Sequence, residues 1–305
     1  MEQKIRIIAL AGPSATGKSD LAVKIAEKFD GEIISADSRY IYREINIAAA
    51  KPTEEEKKTV PHHLIDICDV TEDYSVGRFV KDADNCIRDI HNRGKLPVVT
   101  GGTGLYFRSL RGTFDIPEVM PDYKFREQAE KTSNGELYKE LQALNPKLAE
   151  KIHINNKRKI IRALEITKAN VTQTSKDCPY DILWLCLNAK DRQYLYDRAD
   201  LRVDKMFEQG LLAEAKSLFD KYGQNPILMN TIGIKELYDV LYNNGDLEFA
   251  SEEIKKNTRH YIKRQISWFK TEKDVNYLYI DEDDVYKKAI YFIHMFLSDC
   301  KQDLK

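Results

Sequence analysis

The chain opens with a short, β-branched apolar run, Ile5 to Leu10, broken only by Arg6, which predicts a strand buried inside a parallel sheet. The period then changes. In "SDLAVKIAEKF" the apolar residues Leu21, Ile25 and Phe29 recur every four positions, the spacing of an amphipathic helix. "GEIISA" predicts a second strand ending at Asp37-Ser38, and "KLPVVT" a third ending at Gly101-Gly102-Thr103-Gly104-Leu105-Tyr106. "DILWLCLN", 181–188, predicts a fourth. Residues 115–180 differ in character, with helical spacing and many lysines, so the pattern predicts a helical insertion there. The last third reads as helices: "LYDRADLRVDKMFEQGLLAEAKSLF", "NTIGIKELYDVLY" and "EEIKKNTRHYIKRQISWFK". The expected fold is α/β, a parallel sheet flanked by helices, with a core of 1–114 and 181–305 around an insertion of 115–180.

Between the first strand and the first helix lies Gly12-Pro13-Ser14-Ala15-Thr16-Gly17-Lys18-Ser19, which fits the phosphate-binding pattern G-x-x-x-x-G-K-[ST]. Strand, loop and helix arrive in the order that aims backbone N–H groups and a helix N-terminus at one anion. The sheet is therefore expected to be P-loop NTPase-like. Ligands of open α/β sheets sit beyond the carboxyl ends of the strands, so the loop, Asp37 and Thr103 should frame one site. The motif alone leaves open whether the phosphates are hydrolysed, transferred or only gripped.

Composition excludes more than it adds. Among 305 residues, 42% hydrophobic and 32% charged is ordinary for a globular protein, and the net charge of -1 means that a polyanion must be met by local basic patches. Cys68, Cys86, Cys178, Cys186 and Cys300 are scattered, without a C-x-x-C pair, and read as reduced thiols. No signal-peptide pattern and no apolar run of about 20 residues is present, so a cytoplasmic protein without a membrane span is expected. Two basic stretches stand out. In Lys151 to Lys168, Arg158 and Arg162 lie one turn apart beside Lys157 and Lys159; a solvated helix face is the commoner explanation, but an insertion between core strands suits a substrate clamp. The final helical stretch interleaves Lys255, Lys256, Arg259, Lys263, Arg264 and Lys270 with Tyr261, Trp268 and Phe269, which suits an unpaired nucleic-acid loop. Trp268 and Phe269 serve equally well as core anchors.

"GPSATGKS", "SADSRYIY", "AKPT", "PHHLID", "GGTGLYF", "MFEQGLLAE", "TIGIKEL" and "TRHYIKRQISWF", in that order from residue 12 to 269, together resemble the tRNA dimethylallyltransferase (tRNA isopentenyltransferase) family. The resemblance implies transfer of a dimethylallyl group from dimethylallyl diphosphate to N6 of the adenosine 3′-adjacent to the tRNA anticodon, releasing pyrophosphate. It implies that Gly12, Pro13, Ser14, Ala15, Thr16, Gly17, Lys18 and Ser19 hold the diphosphate, that Ser19 holds Mg²⁺, and that Arg198 or Arg202 reaches the same group. Lys18, Asp37 and Thr103 would be catalytic, Asp37 as general base for the poorly nucleophilic amine. The adenine must leave its stack to react, so the anticodon loop should open against Asp37, Ser38, Arg39, Tyr40 and Thr103, with Arg126, Arg158, Lys159, Arg162, Lys263 and Arg264 on the RNA. The partners would be a tRNA anticodon stem-loop and dimethylallyl diphosphate, and the enzyme a monomer. An Asp at this position could instead assist Mg²⁺, and either arginine could pair with a neighbouring Asp.

The chain departs from the family at three places. Tyr40 stands where Gln is usual, Ile47-Ala48-Ala49-Ala50-Lys51 replaces Ile-Gly-Thr-Ala-Lys, and Gly233-Ile234 replaces Gly-Tyr. Alternatives to tRNA prenylation are an adenine-nucleotide isopentenyltransferase, a P-loop small-molecule kinase using ATP, and an RNA-binding paralogue of weak activity.

Overall fold

A computed structural model describes residues 4–112, 119, 121–169, 178–282 and 284–298 of the chain. The insertion boundary at Asp115 and Cys300 lie outside the described residues.

Six strands form one parallel sheet: β1 (Ile5–Ala11), β2 (Gly31–Ser35), β3 (His62–His63), β4 (Leu96–Gly101), β5 (Tyr180–Asn188) and β6 (Asn276–Tyr279), in the order β3-β2-β4-β1-β5-β6. Central strands bury both faces. Along β1, Ile7, Ala9 and Ala11 enter one core layer while Ile8 and Leu10 enter the other, as a two-residue period requires. The helix Lys18–Lys28 packs Leu21, Ala22, Ile25 and Ala26 on the second layer, joined there by Ala289 and Ile293 of the helix Val285–Ser298. The helix Val76–Asn92 covers the first layer with Phe79, Ala83, Ile87 and Ile90. β1 lies between β4 and β5, so its carboxyl end, where the phosphate loop begins, opens at the middle of the sheet.

The chain divides into two compact units, residues 1–111 with 178–305, and residues 112–177. Tyr180, which the sequence boundary assigns to the insertion, is the first residue of β5 and pairs with Ile5. The second unit is helical, with Tyr123–Lys131, Asn134–Leu144, Pro146–Ala149 and Lys157–Lys168 closing on Ala129, Leu137, Leu141, Ile160, Ile161 and Leu164. Two long helical expectations are broken by glycines. Gly210, at φ 100°, splits Arg192–Glu208 from Leu211–Tyr222. Gly233, at φ 91°, splits "NTIGIKELYDVLY" into short 3₁₀ turns and the helix Tyr238–Tyr242. Trp268 and Phe269 prove to be core anchors: Phe269 is fully buried, and a side chain at Gly104 would collide with the Trp268 ring.

Candidate functional site

β1 ends in a loop that folds on itself. Gly12 has φ 148°, and any side chain there would strike the Leu187 carbonyl of β5, so only glycine fits. The Thr16 hydroxyl and the Lys18 ammonium both donate to the Pro13 carbonyl, at 2.8 and 2.7 Å. Gly17, left-handed, caps the helix Lys18–Lys28 without a side-chain bond, which leaves the first-turn N–H groups for an anion. Burial lowers the Lys18 ammonium to about 8; the Asp37 carboxylate pulls it up and Arg202 pushes it down again. These groups make a cation-rich cradle.

Both α-helical arginines of "DRADLRVDK" face this cradle. Arg198 Nε donates to the carbonyl of Ala15 at 2.8 Å, and Ala15 itself is left-handed at φ 66°. Arg202 lines the cavity described below and acts electrostatically on Lys18 and Tyr40. Their neighbouring aspartates are engaged elsewhere: Asp200 pairs with Arg259 at 2.6 Å and Asp204 with Lys255 at 2.9 Å.

The ends of β2 and β4 are stitched together beside the loop. Ala36 N–H donates to Thr100, Thr103 N–H to Ala36, and Ser38 N–H to the Thr103 hydroxyl at 3.0 Å. Asp37 therefore projects from a fixed turn, and its Oδ1 accepts the Arg39 N–H at 2.9 Å. Its charge reaches Lys18, Tyr40, Tyr106 and Tyr261. The Arg39 guanidinium donates to the Asn230 carbonyl at 3.1 Å. The Tyr40 hydroxyl donates to the Ala50 carbonyl at 2.7 Å, and burial with the Asp37 charge pushes its phenol up to about 12.

A cavity of about 400 Å³ joins these parts. Its lining combines polar side chains, among them Asp37, Arg202, Tyr261 and Arg264, with apolar ones, among them Ala48, Ala49, Val203, Met206, Ile232 and Ile254. Two residues that the sequence did not single out build it. Gln265, 5% exposed, accepts the Ser14 N–H at 2.9 Å and donates to the Gly102 carbonyl at 3.0 Å, locking the phosphate loop to the Gly-Gly-Thr-Gly turn. Glu214 accepts the N–H groups of Asn46, Ile47 and Ala48 at 3.0, 2.8 and 3.0 Å, holding the alanine loop against the cavity. Gln265 and Glu214 lie within the stretches "TRHYIKRQISWF" and "MFEQGLLAE", but no pattern in the sequence pointed from either to its partners, which for Glu214 lie nearly 170 residues away.

The insertion's arginines are placed differently from the sequence expectation. Arg126 and Arg162 do not present one basic face with Arg158. Both grip Glu165, whose side chain is 1% exposed, Arg126 at 2.7 and 3.0 Å and Arg162 at 2.9 Å. Burial raises the Glu165 carboxyl, but those two guanidiniums and the Asp122 N–H outweigh it and hold the group below the usual carboxylate range. Arg162 also donates to the Val119 carbonyl. Arg158 and Lys159 are exposed and form no salt bridge among the described residues. In the core unit Arg264 lines the cavity, over the Tyr261 ring at 5.6 Å, whereas Lys263 is exposed on the helix Leu247–Phe269.

No group of three or more His, Cys, Asp or Glu side chains suited to a metal occurs among the described residues, and no described helix is long and apolar enough to cross a membrane. The four described cysteines are free thiols.

The sequence profile described as IPP transferase matches residues 40–272, and one described as isopentenyl transferase matches residues 5–72. A tRNA dimethylallyltransferase of Caldanaerobacter subterraneus subsp. tengcongensis is 40% identical, over 96% of this chain and 98% of the relative; one of Halalkalibacterium halodurans is also 40% identical, over 97% of each. Among solved structures, a full-length tRNA isopentenylpyrophosphate transferase from Bacillus halodurans is similar with a TM-score of 0.73 at 40% identity, covering 97% of this chain and 96% of that one. A eukaryotic dimethylallyltransferase acting on tRNA is similar with a TM-score of 0.83 at 32% identity, covering 96% of this chain and 80% of that one. A profile match across most of the chain and relatives of this identity over nearly its whole length make one conclusion: the chain belongs to the IPP transferase family.

Proposed function

We propose that this protein transfers a dimethylallyl group from dimethylallyl diphosphate to N6 of the adenosine 3′-adjacent to a tRNA anticodon, releasing pyrophosphate. The observation that carries the reading is the cavity. It brings Ser14 and Ala15 of the phosphate loop, Arg202, a set of apolar side chains and the Asp37 carboxylate around one space of about 400 Å³. An allylic donor needs apolar contacts in the same cavity as its phosphates, and Ala48, Ala49, Val203 and Met206 offer them. The names of the relatives described above agree.

In this reading the loop N–H groups, Lys18, Arg198 and Arg202 bind the diphosphate. As the allylic C–O bond breaks, its electron pair goes to the diphosphate oxygen, where these cations stabilise it. The N6 lone pair forms the new C–N bond, and Asp37 takes the proton that N6 gives up. Thr103, fixed by the Ser38 N–H, keeps its own proton to offer to the adenine. Ser19, in the first turn of the helix Lys18–Lys28, would hold Mg²⁺, an ion that keeps several waters and takes few protein ligands besides phosphate oxygens. Bound there it would add positive charge to the leaving group. The adenine enters extruded from its stack, with Arg264 and Tyr261 at the cavity rim and Arg158 and Lys159 as the insertion's RNA contacts. A tRNA acceptor makes the cytoplasm the compartment of the reaction.

The test is incubation with labelled dimethylallyl diphosphate and Mg²⁺ in separate arms containing tRNA, AMP or ATP. Label in tRNA, recovered as N6-dimethylallyl adenosine, is the expected result. Label in the free nucleotide, or none with ATP consumed instead, would replace the reading with nucleotide prenylation or phosphoryl transfer.

A further inference from the structure

Gly102 and Gly104 flank Thr103, and the helix Leu247–Phe269 leaves neither position room for a side chain. A Cβ at Gly102 would strike the Gln265 carboxamide, and one at Gly104 the Trp268 ring. Gln265 and Trp268 lie three residues apart on one face of that helix, so the helix meets the turn on both sides of Thr103. Gln265 also bonds in two directions. Its Nε2 donates to the Gly102 carbonyl at 3.0 Å, while its Oε1 accepts the Ser14 N–H of the phosphate loop at 2.9 Å. Turning the amide over would set oxygen against oxygen and N–H against N–H, so these partners fix its orientation.

Strand pairing joins β1 to β4 as far as Ala11 and Gly101. Beyond that point the phosphate loop leaves one strand and the Gly-Gly-Thr-Gly turn leaves the other, and Gln265 carries the connection on. We propose that Gln265 is a positioning residue for prenyl transfer, holding the loop that grips the leaving diphosphate in register with the turn that carries Thr103, a role that rests on the reaction proposed above. Transfer needs the allylic carbon, its leaving oxygen and the adenine amine aligned together. The phosphate loop governs the leaving oxygen, whereas Thr103 and the Asp37 turn, joined through the Ser38 N–H, govern the adenine. Gln265 bonds directly to both halves.

The experiment is steady-state transfer from dimethylallyl diphosphate to tRNA by wild type, Gln265→Met and Gln265→Glu across a pH series. Gln265→Met keeps the length and loses both bonds; its kcat should fall about 10²-fold, the cost of a misplacement of about 1 Å, with both KM values within about threefold of wild type. In Gln265→Glu the ionised carboxylate still accepts from Ser14 but opposes the Gly102 carbonyl; once protonated it regains a donor and matches the carboxamide. Burial raises a carboxyl, so the rate of Gln265→Glu relative to wild type should climb as pH falls, by up to about tenfold per unit. Groups that titrate in both proteins cancel in this ratio, and Tyr261, one turn back on the same helix, stays neutral because burial pushes its phenol up. The ratio is read within one variant, so it stands even where Gln265→Met fails to fold. A kcat for Gln265→Met within about twofold of wild type, a loss carried by KM alone, or a ratio flat with pH overturns the role of Gln265. A wild-type protein that transfers no label to tRNA overturns the proposed reaction itself, so the two failures are distinguishable.

Discussion

Two pairs of arginines share one spacing and meet opposite fates. Arg198 and Arg202 lie four residues apart on the helix Arg192–Glu208; Arg158 and Arg162 lie four apart on the helix Lys157–Lys168. The first pair faces the phosphate loop, because Asp200 and Asp204 between and beside them are taken by Arg259 and Lys255 of another helix. The second pair is split: Arg162 turns onto buried Glu165, one turn further along its own helix, and only Arg158 remains at the surface. Helical spacing fixes which residues share a face; the nearest uncommitted carboxylate decides whether a guanidinium is left for a ligand. A cation left over beside an anion-shaped loop is informative, and one absorbed by its own helix is not.

The sharpest break beside the first pair comes at Asp37, with which no described arginine forms a salt bridge. Asp37→Asn keeps the shape and removes the basicity, so single-turnover transfer should fall about 10²–10⁴-fold with both substrates still bound. A loss that disappears as Mg²⁺ is raised would make Asp37 a metal ligand instead. On the insertion side, Glu165→Ala removes the buried carboxylate that Arg126 and Arg162 share and should lower stability by about 3 kcal/mol, read from urea unfolding; a change below about 0.5 kcal/mol would show that the cluster is not structural.

The next effect is a pH dependence of opposite sign for binding and stability. Lys18 is lowered to about 8, so pyrophosphate affinity should weaken as pH rises through 8, by up to about tenfold per unit. An unfolded lysine titrates near 10.5, so between pH 8 and 10.5 the unfolded chain holds the extra proton and the contribution of Lys18 to stability rises with pH. Lys18→Arg, which does not titrate there, should flatten the binding profile; an unflattened profile would assign the titration to the ligand. The smallest effect separates the insertion's arginines. Arg158→Ala with Lys159→Ala should reduce the log–log salt slope of stem-loop binding by about one to two, at roughly 0.7 to 0.9 per contact, whereas Arg162→Ala should leave the slope and lower stability.

The four long strands, the phosphate loop and the turns at Asp37 and Thr103 were legible because each needs only local pattern. β3 and β6 were not, being two and four residues long with no alternation to read. Glycine breaks at Gly210 and Gly233 were visible as residues but not as breaks, since apolar spacing continues across them. Membership of a motif did not by itself mark a site residue, since Gln265 and Glu214 both lie within the quoted stretches. Gln265 and Glu214 act on backbone groups far away in the chain, and such partners carry no periodicity. The Arg162–Glu165 pair was hidden for the reverse reason: Glu165, three residues on, was in plain view, but its burial was not.

In the proposed reaction the loop grips a leaving diphosphate while the RNA is held by other residues. Equilibrium binding of pyrophosphate and of an anticodon stem-loop to Lys18→Ala tests this directly. Pyrophosphate affinity should fall by at least about 10²-fold, in keeping with loss of a charge-stabilising group in a preorganised site, and stem-loop affinity should stay within about twofold. Unchanged pyrophosphate binding, or an equal loss of both ligands, would contradict it.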